Sequence, residues 1–333
     1  MKLARVETGS AGPPFPIHDD LVARLLAAHT RPPIEQRDET VAHVLGTCAG
    51  YAYADTDTVA MIMGRLGLER GACVSITQVV DTMFIASTAF VVQSQCGRVV
   101  IVCYRGTEPA NVGSWLGDAD VGPEVITHAG EEFAVHAGFY RNVRATRWPL
   151  LAELTRALEG RSLLDPARTL DYPLQALYVT GHSLGGAMAV LFALALKGSA
   201  DQHDLAERLR AVYTYGQPMT LVEPIPRAAQ QLGGTVFRHI LPRDVVPTLP
   251  PVGWGRFAHV GQEYAYVDGA WRRAKTPVAQ LRHVREIPRL LLGYLATPKR
   301  AAAARFAAAD HGPQHYIAAL RPAARITEFG DYE

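Results

Sequence analysis

An α/β fold with a mainly parallel central sheet is predicted by three features of the 333-residue chain. Short β-branched runs alternate with helical segments through its middle, which is the pattern of parallel strands joined by crossover helices. A pentapeptide, Gly181-His182-Ser183-Leu184-Gly185, sits where one such strand meets one such helix. Hydrophobic residues make up 48% and charged residues 20%, the composition of an ordinary soluble globular protein with enough chain for one enlarged domain.

Taken in order, residues 1–37 open with a Gly/Pro-rich lead and continue as LVARLLAAH, whose apolar spacing predicts an N-terminal helical extension. The rest, 38–333, reads as one domain. From Thr40 to Leu68 the apolar positions recur at helical intervals, with a break at Asp55 to Asp57 that predicts two helices. FIASTAFVVQ and RVVIVCYRG then read as buried strands, and NVRATRWPLLAELTRALEG as a helix. ALYVT is a further strand and LGGAMAVLFALALK a helix rich in small residues. AVYTYGQP and TVFRHILP are strands, and EYAYVDGAWR, turning at Asp268-Gly269, is a small hairpin.

The net charge of +1 gives no reason to expect nucleic acid as a partner. One stretch is locally basic: Arg272, Arg273, Lys275, Arg282, Arg285, Arg289, Lys299, Arg300 and Arg305 face only Glu286. It reads as a solvated face, with peripheral docking on anionic lipid as the sharper alternative. The N-terminus holds no apolar run of the kind that opens a secretory leader, and no run approaches membrane-spanning length. Cys48, Cys73, Cys96 and Cys103 are scattered without a CxxC pair. That suits reduced thiols, so the expected location is cytoplasmic. Neither an HExxH nor a Walker A loop is present, and no metal or organic cofactor is expected.

The pentapeptide is a GxSxG sequence in the strand-turn-helix context that the motif requires. A serine there occupies a sharp turn with its Oγ exposed, and flanking glycines let strand and helix approach closely. The following helix N-terminus aims backbone N–H groups, the Leu184 amide nearest, at a developing oxyanion. The bland alternative is a structural turn.

A serine hydroxyl needs a histidine to take its proton and an acid to orient that histidine. In α/β-hydrolases the order is Ser, acid, His, so both partners lie downstream of Ser183. Asp244, in HILPRDVVPTLPP, directly follows a buried strand and precedes a proline-fixed loop at the carboxyl edge of the sheet. Its bland reading is a loop cap, and Asp268 and Glu263 in the hairpin are rivals. For the base, His259, His283, His311 and His315 are available. His311 precedes a short amphipathic helix and His315 is its near rival, while His259 and His283 read as a packed and a surface histidine.

Several segments together resemble the class 3, or fungal-type, lipase family of the α/β-hydrolase superfamily. In family order these are VCYRGTEP, GSWLGDADV, VHAGFY, GHSLGGAMA, AVYTYGQP, RDVVPTLPP, FAHVGQEYAY and DHGPQHYIAAL, spanning about Tyr51 to Leu320. The resemblance implies an α/β-hydrolase fold and a serine carboxylic-ester hydrolase, a lipase or esterase acting on small-molecule or lipid esters through an acyl-enzyme. It implies Thr107 as an oxyanion-hole residue beside Leu184. It also implies a lid over about Asn111 to Val121, with Trp115 and Leu116 as its apolar face. The Asp310, His311, Tyr316 ending selects His311 over His315, and His136 and His259 fall at structural histidines. Two departures stand out: Met219-Thr220-Leu221-Val222 replaces the usual Val-Gly after YGQP, and a basic insert separates Trp271 from Phe306. A phospholipase A1-type acyl hydrolase and a catalytically silent scaffold are the alternative functions.

Overall fold

The computed structural model describes residues 1–30, 37–80, 85–107, 122–128, 130–282 and 308–331. Its strands in chain order are β1 (Lys2–Thr8), β2 (Gly71–Val80), β3 (Ile85–Gln93), β4 (Val99–Tyr104), β5 (Pro123–His128), β6 (Glu131–His136), β7 (Ala176–His182), β8 (Leu209–Tyr215), β9 (Leu221–Val222), β10 (Val236–Ile240), β11 (Phe257–Ala258), β12 (Gln262–Val267) and β13 (Ala270–Arg273). The helices are α1 (Leu21–Ala27), α2 (Glu39–Tyr51), α3 (Thr56–Leu66), α4 (Ala137–Leu158), α5 (Leu184–Lys197), α6 (His203–Arg208), α7 (Arg227–Leu232) and α8 (Pro313–Leu320).

A nine-stranded sheet runs β1-β2-β3-β4-β7-β8-β10-β12-β13. Its centre, β4, β7, β8, β10 and β12, is parallel. Both edges are antiparallel, through β1, β2 and β3 on one side and β13 on the other. The central strands are buried along their whole length, as VVIVCY and ALYVTGH show, because helices cover both faces of a parallel sheet. The helix expected from LGGAMAVLFALALK is α5, and its nearly complete burial explains why it is apolar all round. The Asp268-Gly269 hairpin is β12 and β13, with both turn residues at positive φ.

Two features go beyond the sequence reading. The Gly/Pro-rich lead opens on a strand, β1, that pairs with β2 along seven positions, so the N-terminus is woven into the sheet before α1 begins. A second sheet, β11-β9-β6-β5, lies outside the main one. Two of its strands, β9 and β11, have only two residues each, too short to carry a period-two signal.

The break between α2 and α3 is fixed at both ends. Asp55 caps α3 by accepting from the Thr58 amide at 2.8 Å, and the Ala54 amide bonds back to the Tyr51 carbonyl at 2.9 Å. Asp38 caps α2 in the same way, accepting from Val41 at 2.8 Å.

On α2, His43 meets His18 of the N-terminal lead, Nδ1 to Nε2 at 3.1 Å, and both rings are buried. Burial, then Arg325 and Arg24 outweighing Asp19 and Asp20, lowers His18 to about 4. Burial, then His18, Arg321 and Arg325, lowers His43 to about 3. Unfolded, both histidines titrate near 6.5, so the folded state takes up fewer protons in acid. The stability they contribute is full above that value and is lost as pH falls toward the folded values. Urea unfolding of a His18→Asn/His43→Asn double variant should therefore lose roughly 3 to 4 kcal/mol less than wild type between about pH 7 and about pH 5, about 2 kcal/mol for each histidine. Equal losses in the two proteins would contradict this account.

Candidate active site

Four adjacent strands deliver the site at their carboxyl ends. Thr107 follows β4, Ser183 follows β7, Gly216 follows β8 and Asp244 follows β10. His311 arrives from the far end of the chain, in a short 3-10 turn ahead of α8. Trp271 of β13 donates its indole N–H to the Ala319 carbonyl at 2.8 Å, which ties α8 to the edge hairpin.

Ser183 sits at φ 57° and ψ −130°, in the left-handed region that a non-glycine residue rarely adopts. This strained turn is what the GxSxG pattern requires. It survives because its surroundings leave no alternative: the Ser183 amide donates to the Tyr215 carbonyl at 2.9 Å, and α5 starts at the next residue. A Cβ on Gly181 would come within 2.3 Å of Gly185, and one on Gly185 within 2.2 Å of the Tyr104 carbonyl. Only glycines allow β7, β4 and α5 to meet at this distance.

Ser183 Oγ lies 2.8 Å from His311 Nε2, and His311 Nδ1 lies 2.8 Å from Asp244 Oδ2. The partners assign the tautomer: Nδ1–H donates to the carboxylate, leaving Nε2 to accept from the serine hydroxyl. Asp244 has two more donors, the Tyr316 hydroxyl on Oδ2 at 2.6 Å and the Val246 amide on Oδ1 at 2.9 Å. Burial, then the Asp244 charge, pushes the Tyr316 phenol well above its ordinary range, so it remains a donor. All three of Ser183, His311 and Asp244 are buried. An ion pair between their chain neighbours, Arg243 and Asp310 at 3.0 Å, joins the acid loop to the histidine loop.

The rival candidates lie elsewhere. His315 is exposed. His259 bonds the Pro247 carbonyl at 2.8 Å, and His136 stacks on Phe139 with ring centroids 3.8 Å apart. Glu263 is paired with Arg238 at 3.0 Å and also accepts from the Val278 amide. Asp268 turns the hairpin at φ 51°. Leu184 is the first residue of α5, so its N–H belongs to the first turn, whose amides have no partner within a helix. The turn carrying Thr107 packs on the nucleophile turn, because a Cβ on Gly106 would come within 2.5 Å of the His182 carbonyl. Trp115, Leu116 and the remainder of the expected lid, together with His283, lie outside the described residues. Among the described residues, no three His, Cys, Asp or Glu side chains converge as metal ligands.

The sequence reading missed Gly216, Tyr53 and His182. Gly216, at φ 58°, faces the acid and the base: a Cβ there would meet Asp244 Oδ2 at 2.7 Å and His311 Cε1 at 2.9 Å. Its signal was the YGQP segment at the end of β8, which reads as a strand end and a family segment without giving Gly216 a role.

Comparison with known proteins places this geometry. The family model described as "Lipase (class 3)" matches residues 101–254. That segment is similar to the class 3 lipase family. A lipase of Rhizomucor miehei is 29% identical over 190 residues, covering 57% of this chain and 48% of the relative. Secreted mono- and diacylglycerol lipase 1 of Fusarium solani is 29% identical over 184 residues, covering 54% and 47%. The chain thus spans about half the length of the curated relatives it matches. The native Rhizomucor miehei lipase propeptide complex superposes with a TM-score of 0.54 at 18% identity, over 91% of this chain and 94% of that one. The shared architecture is the expected α/β-hydrolase fold.

The same relatives correct the expectation of a cytoplasmic location. Those from Fusarium solani and Penicillium cyclopium are named secreted lipases. The argument from reduced thiols fails for a physical reason: the free thiols of Cys48, Cys73 and Cys103 are buried core groups, and a thiol packed in the core carries no information about the compartment.

Gly216→Ala should slow covalent labelling of Ser183 by an organophosphonate by about 100-fold, since displacing the acid and base by a fraction of an ångström breaks the alignment. The thermal midpoint should fall by only a few degrees, roughly the effect of about 1 kcal/mol. Labelling at the wild-type rate would show that the site tolerates a methyl group there.

Proposed function

We propose that this protein is a serine carboxylic-ester hydrolase acting on lipid-like esters, an acylglycerol lipase or esterase that works through an acyl-enzyme. The observation that carries the reading is the unbroken hydrogen-bonded chain from Asp244 through His311 to Ser183, on a strained turn at the head of α5. The lipase names of the relatives support the substrate class.

In the proposed reaction His311 Nε2 takes the Ser183 proton as Oγ attacks the ester carbonyl carbon. The oxyanion that forms is met by the N–H groups of Leu184 and Thr107, and Asp244 stabilises the imidazolium through Nδ1. Collapse breaks the bond to the alcohol oxygen, which leaves with the proton held by His311. Water then repeats the sequence on the acyl-enzyme: His311 takes its proton, its oxygen attacks, and Ser183 is released as the free acid departs.

The substrate would meet the site at a lipid surface. Arg272, Arg273, Lys275 and Arg282, the described part of the basic stretch, are exposed and could face anionic headgroups. A panel of acylglycerols, phospholipids and short soluble esters distinguishes an acylglycerol lipase from a phospholipase A1-type enzyme.

Ser183→Ala should lower ester hydrolysis by on the order of a million-fold with the thermal midpoint retained, because the three side chains act as a unit. Activity near wild type would overturn the proposal. His311→Ala should match that loss, whereas His315→Ala should keep most activity; the reverse pattern would move the base to His315.

A further inference from the structure

We infer that Tyr53 and His182 are positioning residues that hold the backbone of the base His311. This rests on the proposed function and concerns residues to which that mechanism gives no role. His182 precedes the nucleophile, and its ring is buried 4.6 Å from the His311 ring. Its Nε2 lies 2.8 Å from the His311 carbonyl oxygen, and its Nδ1 lies 2.8 Å from the Tyr53 hydroxyl. A carbonyl can only accept, so Nε2 carries the hydrogen, and Nδ1 must then accept from the Tyr53 hydroxyl. Tyr53 thereby selects the tautomer of His182, and His182 clamps the main chain of His311.

The source of the hydroxyl is as well defined as its target. Tyr53 stands in the short connection between α2 and α3, closed by the Ala54 to Tyr51 bond and the Asp55 cap. The oxyanion turn also rests on it: a Cβ on Gly106 would come within 2.2 Å of the Tyr53 oxygen as well as close to the His182 carbonyl. Three segments that must be in register for acyl transfer, at 105–107, 182–184 and 310–312, therefore meet at this pair. Burial, reinforced by His311, holds His182 well below the ordinary imidazole range. It therefore stays neutral beside the imidazolium that His311 becomes, adding no second positive charge.

The test compares Tyr53→Phe, His182→Gln and His182→Leu with Ser183→Ala, in ester hydrolysis and in phosphonate labelling of Ser183. Tyr53→Phe should lower kcat by about 10- to 100-fold with KM little changed and slow labelling by the same factor, as expected for a displaced base. His182→Gln can present an N–H near the original Nε2 and should recover part of what His182→Leu loses, at a matched thermal midpoint. Labelling and kcat at wild-type levels in the isosteric Tyr53→Phe would overturn the inference even if His182→Leu fails to fold. If Ser183→Ala retains hydrolysis, the proposed function itself falls; if it abolishes hydrolysis while Tyr53→Phe is silent, only the positioning role falls.

Discussion

The architecture depends on one backbone constraint, the turn at Ser183 that passes from β7 into α5 within a single residue. A side chain at φ 57° is held only if strand end and helix start are both immovable. That demands contact between their backbones, which Gly181 and Gly185 permit, and a helix deep enough in the core to resist displacement. α5 meets the second demand by being apolar on every face, with leucine, valine, methionine and phenylalanine packed between the sheet and its flanking helices. The parallel order of β4, β7, β8 and β10 then brings three further loops to the same edge without long connections.

Charge is managed differently at two buried acids, Glu263 near the start of β12 and Asp244 in the loop after β10. Glu263 is buried against a full cation, Arg238, whose own charge burial opposes. Such a pair offsets the cost of burying two charges and leaves the carboxylate committed to its partner. Asp244 is buried against dipoles, the Tyr316 hydroxyl and the Val246 amide, and against an imidazole. Those hydrogen bonds fix its orientation, and it remains free to face the positive charge that appears only when His311 accepts a proton. This difference in partners gives a physical reason why the acid after β10, and not the one in β12, suits the proposed chemistry.

The legible parts of this chain were those with a strong local period or a motif of fixed geometry. α5 could be read to the residue because a small-residue helix directly follows the GxSxG turn. The β12 and β13 hairpin was legible from Asp268-Gly269, whose positive φ values suit a tight turn. Asp244 and His311 were legible from strand-loop context and family order, and the structure brings both to Ser183. The second sheet was not readable in full, since β9 and β11 have two residues each and exist by pairing, β9 on the edge of β6 and β11 on β9. β1 was hidden by the Gly/Pro residues after it. Tyr53 and His182 were invisible because their roles depend on side-chain bonds spanning 129 residues, which no local pattern encodes.

The proposed reaction also needs a reason why one of twelve histidines, His311, would act as its base. Position alone does not supply it, because His182 lies as deep in the site as His311, and His239 is fully buried just beneath it among Tyr215, Tyr264 and Trp271. Burial drives the rings of His43, His136, His182 and His239 toward the neutral form, so an added proton is opposed at each. Among the described residues, His311 alone has a carboxylate at hydrogen-bond distance, so an imidazolium formed there is met by an opposite charge 2.8 Å away. The two of these neutral rings nearest the site, His182 and His239, serve a second purpose. They fill the space beneath the site with aromatic surface that excludes water, which strengthens the Asp244 to His311 attraction, and they add no competing positive charge. In the proposed reaction the base is thus chosen by the carboxylate beside it, and His182 and His239 take part by remaining uncharged.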